Sequence, residues 1–279
     1  MPDWRPLIVR RKDGFPRIMG VLNITPDSFF EDSRSNNISE TIKIAESMIQ
    51  NGADWLDIGG ESTRPGANPV KEEEEISRVI PVIRELRKRF PKVGISVDTR
   101  RAKVAALSLE EGADMINDVS ALSDQNMINV VKQSDCCICL MHMKGLPENM
   151  QNNPQYDDVV MEVRRKLNEK VSLLLEEGIN QERIIVDPGI GFGKSLEHNL
   201  LLLKSGREII PLSNIKLMWG VSRKSMFSEL LGRIEARDRL AGTLGIAAMS
   251  KLKAVDIIRV HDVAEHVDLF RAMSSLEDL

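Results

Sequence analysis

A single-domain α/β fold, a (β/α)8 barrel spanning residues 1–279, is the architecture this sequence predicts, and three observations carry that expectation. Short apolar runs alternate with segments of helical period from one end of the chain to the other. A weak internal repeat, GADWLDIGG from Gly52, GADMINDVS from Gly112 and AVDIIRVHD from Ala254, joins a helix stop to an acid and to an apolar strand with a polar end. Strands separated by helices demand right-handed crossovers, and eight such units in roughly 250 residues match the size of this barrel. An open doubly wound sheet is the alternative, but no GxGxxG follows the first strand. No linker rich in Pro, Gly or Ser divides the chain.

The elements follow in order. A short hairpin arm is expected around Leu7 to Lys12, ahead of a first strand at Ile18 to Ile24 and a turn at Thr25, Pro26 and Asp27. Ser39 reads as the N-cap of a helix with Ile42, Ala45, Met48 and Ile49 on one face, stopped by Gly52. Trp55 to Ile58 is a strand. The helix from Lys71 to Arg89 places four glutamates at its start and Arg87, Lys88 and Arg89 at its end, where both signs suit the macrodipole. Strands at Gly94 to Thr99, Met115 to Val119 and Cys137 to His142 alternate with helices at Ala102 to Glu110, Asp124 to Lys132 and Asp157 to Glu177. The sixth strand, IIVD from Ile184, stops abruptly at Asp187 and opens into a glycine-rich loop, PGIGFGK. A helix after Leu196, a strand at Lys216 to Val221, helices between Ser225 and Lys253, a strand at Asp256 to His261 and a closing helix complete the series.

Composition narrows the partners. With 42% hydrophobic and 29% charged residues, the chain has the material for a large core. Its 38 basic and 42 acidic side chains nearly cancel, so there is no global attraction for nucleic acid or an anionic membrane, and any anion site is local. No apolar run approaches a membrane span and the amino end lacks a signal-peptide pattern, so a cytoplasmic protein is expected. Cys136, Cys137 and Cys139 share one apolar stretch without a partner cluster and read as reduced core thiols.

In such a barrel the carboxyl ends of the strands converge on one face, where the site lies. The polar groups there are Asn23, Asp57, Glu61 with Ser62, Thr63 and Arg64, Asp98, Asn117, His142, Asp187, Arg223 with Lys224, and Arg259 with His261. They sort into two chemistries. Asp98, Asn117 and Asp187 suit a flat heterocycle, because a carboxylate accepts two parallel bonds from an aminopyrimidine edge. Asn23, Thr63, Arg64, Arg259 and His261 suit an anion such as a diphosphate. Arg259 and His261, two apart on a strand, point the same way. Some positions have plainer readings: Asn117 and Asp118 as an Asx turn, Asp262 as the N-cap of the final helix, and His142, between two methionines, as a structural histidine. With Ser222 as an N-cap, Lys224 would lie in a first helical turn, opposing the macrodipole, which invites a functional explanation.

In their order, MGVLNITPDSF from Met19, ESTRPGA from Glu61, SVDTR from Ser96, INDVS from Ile116, DPGIGFGK from Asp187, GVSRKS from Gly220 and RVHDV from Arg259 resemble the motif series of the dihydropteroate synthase family over almost the whole chain. The resemblance implies a (β/α)8 transferase that joins p-aminobenzoate to 6-hydroxymethyl-7,8-dihydropterin diphosphate, giving dihydropteroate and diphosphate in folate biosynthesis. It further implies Mg2+, a homodimer and sulfonamide competition at the aminobenzoate site. By the same resemblance Asp98, Asn117, Asp187 and Lys224 hold the pterin, with Arg259 stacked on its face. Asn23, Thr63, Arg64, Arg259 and His261 handle the diphosphate, and Asn23 also ligates the metal. Phe29, Thr63, Arg64, Pro65, Phe192, Lys224 and Ser225 surround the aminobenzoate. The catalytic set is then Asp98, Lys224, Arg259 and Asn23. Three positions depart from the family pattern: the run from Phe30, Ile190 in place of an aromatic, and a bulky Trp219. The rival readings are a barrel that transfers a methyl group from methyltetrahydrofolate to a corrinoid protein, and a non-catalytic pterin-binding protein.

Overall fold

The computed structural model describes residues 3–24, 34–62, 69–145, 150–151, 153–210 and 212–277. Its strands are β1 (Arg17–Asn23), β2 (Trp55–Gly59), β3 (Gly94–Asp98), β4 (Met115–Asp118), β5 (Cys137–Met141), β6 (Ile184–Asp187), β7 (Lys216–Trp219) and β8 (Ile257–Val260). All neighbours pair in parallel, and β8 returns to β1, which closes the barrel in sequence order. Around it lie α1 (Arg34–Gln50), α2 (Glu72–Arg89), α3 (Ala102–Glu110), α4 (Asn126–Lys132), α5 (Val159–Glu176), α6 (Leu196–Ser205), α7 (Met226–Leu231), α8 (Leu240–Ala247) and α9 (Val263–Glu277). Among the described residues, no helix is long and apolar enough to cross a membrane.

The two faces of each strand build two cores. Ile58, Val97, Ile116, Ile138, Val186 and Ile258 pack outward beneath the helices. The alternate positions Met19, Trp55, Met115, Cys137, Cys139, Ile185, Met218 and Ile257 fill the barrel axis. Period-two alternation then fixes what lies above this plug. Two residues beyond Trp55, Ser96, Met115, Ile185 and Ile257 come Asp57, Asp98, Asn117, Asp187 and Arg259, so the polar groups continue the interior column toward the carboxyl end. The three cysteines are buried free thiols, and burial pushes each thiol pKa up, as the core reading expects.

The repeated acids have a structural task at the opposite end. Asp54 accepts the Ile18 N–H at 2.9 Å and pairs with Arg11 and Arg17. Asp114 accepts the Ile95 N–H at 2.9 Å and pairs with Arg87, while Asp256 accepts the Leu217 N–H at 2.8 Å and pairs with Arg207. Each carboxylate thus stitches its own strand to the preceding one, satisfying a donor at the strand's start that the ladder leaves over.

Three local expectations differ. The amino-terminal arm is a 3-10 turn at Arg5–Leu7 followed by a tight turn, not a paired hairpin. Its Trp4 Nε1 donates to the Asp135 carbonyl at 3.0 Å, and Trp55 Nε1 donates to the Leu7 carbonyl at 2.8 Å, so side-chain bonds replace strand pairing in seating it under the barrel. α1 starts at Arg34, which puts Ser39 inside the helix rather than at its cap. Ser222 caps no helix: α7 begins at Met226 with Ser225 at its N-cap, so Lys224 stands in a turn and the macrodipole argument for it falls.

Candidate active site

The polar column opens at the carboxyl end of the barrel into a cleft of about 370 Å3, with Asn23, Asp98, Phe192, Lys224, Arg259 and His261 among its walls. A wider open groove of about 940 Å3 lies elsewhere, along the start of α5 from Lys144 to Asn168, walled by charges of both signs away from the strand ends.

The centre of the cleft is an ion cluster. Arg259 donates through Nε to Asp57 Oδ2 at 2.5 Å and through its terminal nitrogen to Asp98 Oδ2 at 2.9 Å. Asn117 Nδ2 donates to the same Asp57 oxygen at 3.1 Å. Asp57 is fully buried and Asp98 is 7% exposed. Burial pushes the Asp98 carboxyl up, Arg259 pulls it back, and the negative charge on Asp57 pushes it up further. For Arg259, burial works against the charge, but Asp57 and Asp98 hold its pKa above the ordinary arginine value. A cation so fixed is oriented before any ligand arrives.

Asp187 lies behind the cleft wall at Gly220, 4% exposed, with Oδ1 accepting the Gly189 N–H at 2.7 Å. Burial raises its pKa and the Gly189 bond lowers it. A Cβ at Gly220 would come within 3.3 Å of Asp187 Oδ2, so glycine there leaves the carboxylate room. Lys224 Nζ lies 4.0 Å from the centroid of the Phe192 ring, a cation–π contact. Ser222 Oγ accepts the His261 N–H at 3.1 Å and lies 3.0 Å from His261 Nδ1, which ties the end of β8 to the loop after β7. Ser225 lines the same wall.

The structure therefore brings together Asn23, Asp98, Asn117, Asp187, Phe192, Lys224, Ser225, Arg259 and His261. Phe29, Thr63, Arg64 and Pro65 lie outside the described residues, as does the Phe30 departure. The other two departures do not face the cleft: Ile190 and Trp219 are fully buried in the outer core. Arg223 borders the cleft, but its guanidinium is engaged by Asp262. Glu61 is bound by Arg100, Arg101 and the Val70 N–H, which makes it an anchor for the chain after β2. The turn expected of Asn117 and Asp118 belongs to Asp118 alone, which accepts the N–H groups of Ser120 and Leu122. His142 is structural, as expected: burial and the adjacent Lys194 ammonium push its pKa down to about 3.

Sequence reasoning gave no role to Asp57 and did not single out Lys194. Asp57 stands among the polar strand ends, but nothing in the sequence pairs it with Arg259 and Asn117; its alternation with Trp55 was the available signal for its inward aim.

A parallel barrel whose strand ends hold buried acids against a fixed cation beside an open cleft has the form of an enzyme for a small polar molecule. Comparison with known proteins agrees. The family model described as pterin binding enzyme matches residues 19–261. Dihydropteroate synthase of Escherichia coli K12 is 43% identical over 260 residues, covering 93% of this chain and 91% of that protein. Among solved structures, Yersinia pestis dihydropteroate synthase with a sulfonamide drug complex superposes with a TM-score of 0.88 at 38% identity, covering 96% of this chain and 97% of that one. The Burkholderia cenocepacia enzyme complexed with 7,8-dihydropteroate gives 0.85 at 38% identity, covering 94% and 92%. The chain belongs to the pterin-binding enzymes and, within them, to the dihydropteroate synthases, transferases of folate biosynthesis.

Proposed function

We propose that the cleft binds the pterin diphosphate with its ring on the Asp98, Asn117 and Asp187 side and its diphosphate toward Asn23 and His261, and that p-aminobenzoate enters beside Phe192, Lys224 and Ser225. Thr63 and Arg64 would complete the anion side, and Phe29 and Pro65 the aminobenzoate side. The observation that carries this reading is the Asp57–Arg259–Asp98 cluster, which fixes one cation between two buried carboxylates at the axis of the barrel. Arg259 can then lie against a flat ring while its charge faces the leaving group.

In the reaction the bond from the pterin methylene carbon to the diphosphate oxygen breaks, and the diphosphate carries away the electron pair. Arg259 and His261 offset its charge as it leaves. The carbon is left electron-poor, and the carboxylate of Asp98 stabilises the positive charge spread over the ring. The aminobenzoate nitrogen attacks this carbon and sheds one proton, so no protein nucleophile is needed. Phe192 and Lys224 orient the attacker, which makes positioning the main contribution of that wall.

Mg2+ fits this donor set only as a companion of the diphosphate. Among the described residues no group of three or more acidic, His or Cys side chains could hold a metal, whereas Asn23 offers an amide oxygen at the cleft, and Mg2+ takes few protein ligands beside phosphate oxygens. Bound there, it would neutralise the departing diphosphate.

A homodimer completes the proposal. α8, LAGTLGIA, is apolar on every side, yet only Thr243 and Ala247 are buried, and an all-apolar helix ordinarily sits inside a core. Leu230, Leu231 and Ile234 on and after α7 are exposed beside it, and a second copy would cover this face.

The test is an assay of purified protein with the pterin diphosphate, labelled p-aminobenzoate and Mg2+, run beside Asp98→Asn, with sedimentation for the dimer. Labelled dihydropteroate from the parent and a large loss in the variant support the assignment. Full activity in Asp98→Asn would remove Asp98 from its role, and a monomer at micromolar concentration would remove the dimer.

A further inference from the structure

Lys194 is a buried lysine beside the cleft with no role in the reaction as described, and burial pulls its pKa down to about 7. It is 3% exposed, and its Nζ meets four acceptors: the Gly189 carbonyl at 2.9 Å, the Phe192 carbonyl at 2.9 Å, the His142 carbonyl at 3.3 Å and His142 Nδ1 at 3.1 Å. Two of these belong to the end of β5 and two to the loop after β6. Nζ therefore ties two neighbouring strand ends together.

The loop lies against β5 backbone to backbone. A Cβ at Gly189 would come within 1.9 Å of the His142 carbonyl oxygen, and one at Gly193 within 2.1 Å of the Lys144 carbonyl oxygen. Both glycines also have positive φ, +68° and +63°. So close an approach directs carbonyls inward, where water cannot reach them, and each needs a donor. Lys194 supplies three such bonds from one side chain. The remaining loop groups are held from outside: Asn199 Oδ1 accepts the Gly191 N–H at 2.7 Å, and the Tyr156 hydroxyl donates to the Gly193 carbonyl at 3.0 Å.

The residue whose carbonyl Lys194 fixes is also the one whose ring carries Lys224. We propose that Lys194 is a positioning residue for the reaction: by clamping the Phe192 carbonyl to the end of β5, it sets the Phe192 ring under Lys224 and so shapes the wall that orients p-aminobenzoate. The proposal rests on the reading of Phe192 as part of the aminobenzoate subsite.

The experiment is steady-state kinetics on the full chain as Lys194→Met, Phe192→Ala and the double variant, each substrate varied at saturation of the other, with a melt for every protein. A positioning role acting through Phe192 raises the KM for p-aminobenzoate about tenfold in Lys194→Met but less than about twofold when the same change is made in the Phe192→Ala background. The KM for the pterin diphosphate moves by less than about threefold. An unchanged aminobenzoate KM, an equal factor in both backgrounds, or an equal rise for both substrates overturns the proposal: the first shows no effect on the subsite, the second an effect that does not pass through Phe192, and the third a general loosening of the fold. If Phe192→Ala itself leaves the aminobenzoate KM unchanged, the subsite assignment fails and the proposal falls with it, an outcome distinct from a silent Lys194→Met. Should Lys194→Met not fold, Lys194→Gln, which keeps a donor, is held to the same outcomes.

Discussion

Replacing Asp57 by asparagine tests the ion cluster through a residue that lies beneath the proposed pterin position. The substitution preserves shape and removes one negative charge from a fully buried site that accepts from both Arg259 and Asn117. Breaking a buried ion pair by loss of one partner costs about 3–5 kcal/mol, but Arg259 keeps Asp98, and the new amide still accepts a neutral bond, so about 2–3 kcal/mol is expected. At about 2–4 °C per kcal/mol for a domain of this size, the melting temperature should fall by about 5–10 °C. The same change acts on Asp98 in the opposite sense. Asp57 helps to hold the Asp98 carboxyl above the usual range, so without it Asp98 ionises at lower pH. If catalysis needs the ionised form, activity is lost as pH falls through that pKa, and the acid limb of kcat/KM should move to lower pH in Asp57→Asn. Thermal melts and a pH–rate profile on the same preparations check both. A melting temperature within about 2 °C of the parent, or an acid limb that stays or moves to higher pH, would refute the reasoning.

Other outcomes follow from single contacts. Lys224→Ala removes the cation beside Asp187 and Phe192 and should lower kcat/KM by roughly 10–100-fold, the equivalent of about 1.5–3 kcal/mol for a bond to a charged group, measured by steady-state kinetics. Gly189→Ala and Gly178→Ala, both at positive φ, separate strain from collision: at Gly178 nothing lies within 4 Å, so only about 1–2 kcal/mol of backbone cost is expected, whereas at Gly189 the methyl would meet the His142 carbonyl oxygen at 1.9 Å and folded protein should be lost. Urea titration of the two variants reads the difference. His142 is held neutral, its pKa lowered from 6.5 to about 3, so the unfolded chain binds the extra proton between those values. Its contribution is present above that window and is lost as pH falls, and melts from neutral pH downward should show a shallower decline for His142→Gln than for the parent.

The barrel was legible because its signals are local and repeated: each apolar run sits between a glycine stop and a polar end, and helical periods fill the intervals. The repeat pointed correctly to equivalent units but not to their purpose, since Asp54, Asp114 and Asp256 bind backbone N–H groups at the end remote from the cleft. Site residues at strand ends, such as Asp98 and Asp187, were legible because alternation alone aims them. The tasks of Asp57 and Lys194 were not, for both act through partners far away in sequence: Arg259 lies 202 residues from Asp57, and His142 lies 52 from Lys194. Helix starts were misread where a serine looked like a cap, at Ser39 and Ser222, because the turn that makes a capping hydroxyl useful is set by tertiary packing rather than by the residue type.

The amino-terminal arm closes the barrel from below, and its seat has a consequence for the order of assembly. Trp4 and Ile8 pack against Met19, Trp55, Met115, Cys137, Ile185, Met218 and Ile257, which belong to seven different strands from β1 to β8. Gly94 on the remaining strand, β3, leaves the space the Trp55 ring occupies. That seat is complete only when the eighth strand has joined the first, so residues that precede every strand in sequence settle only after the last one is in place. Burial of the Trp4 ring then marks ring closure, the moment at which β8 completes a surface for the arm that precedes β1.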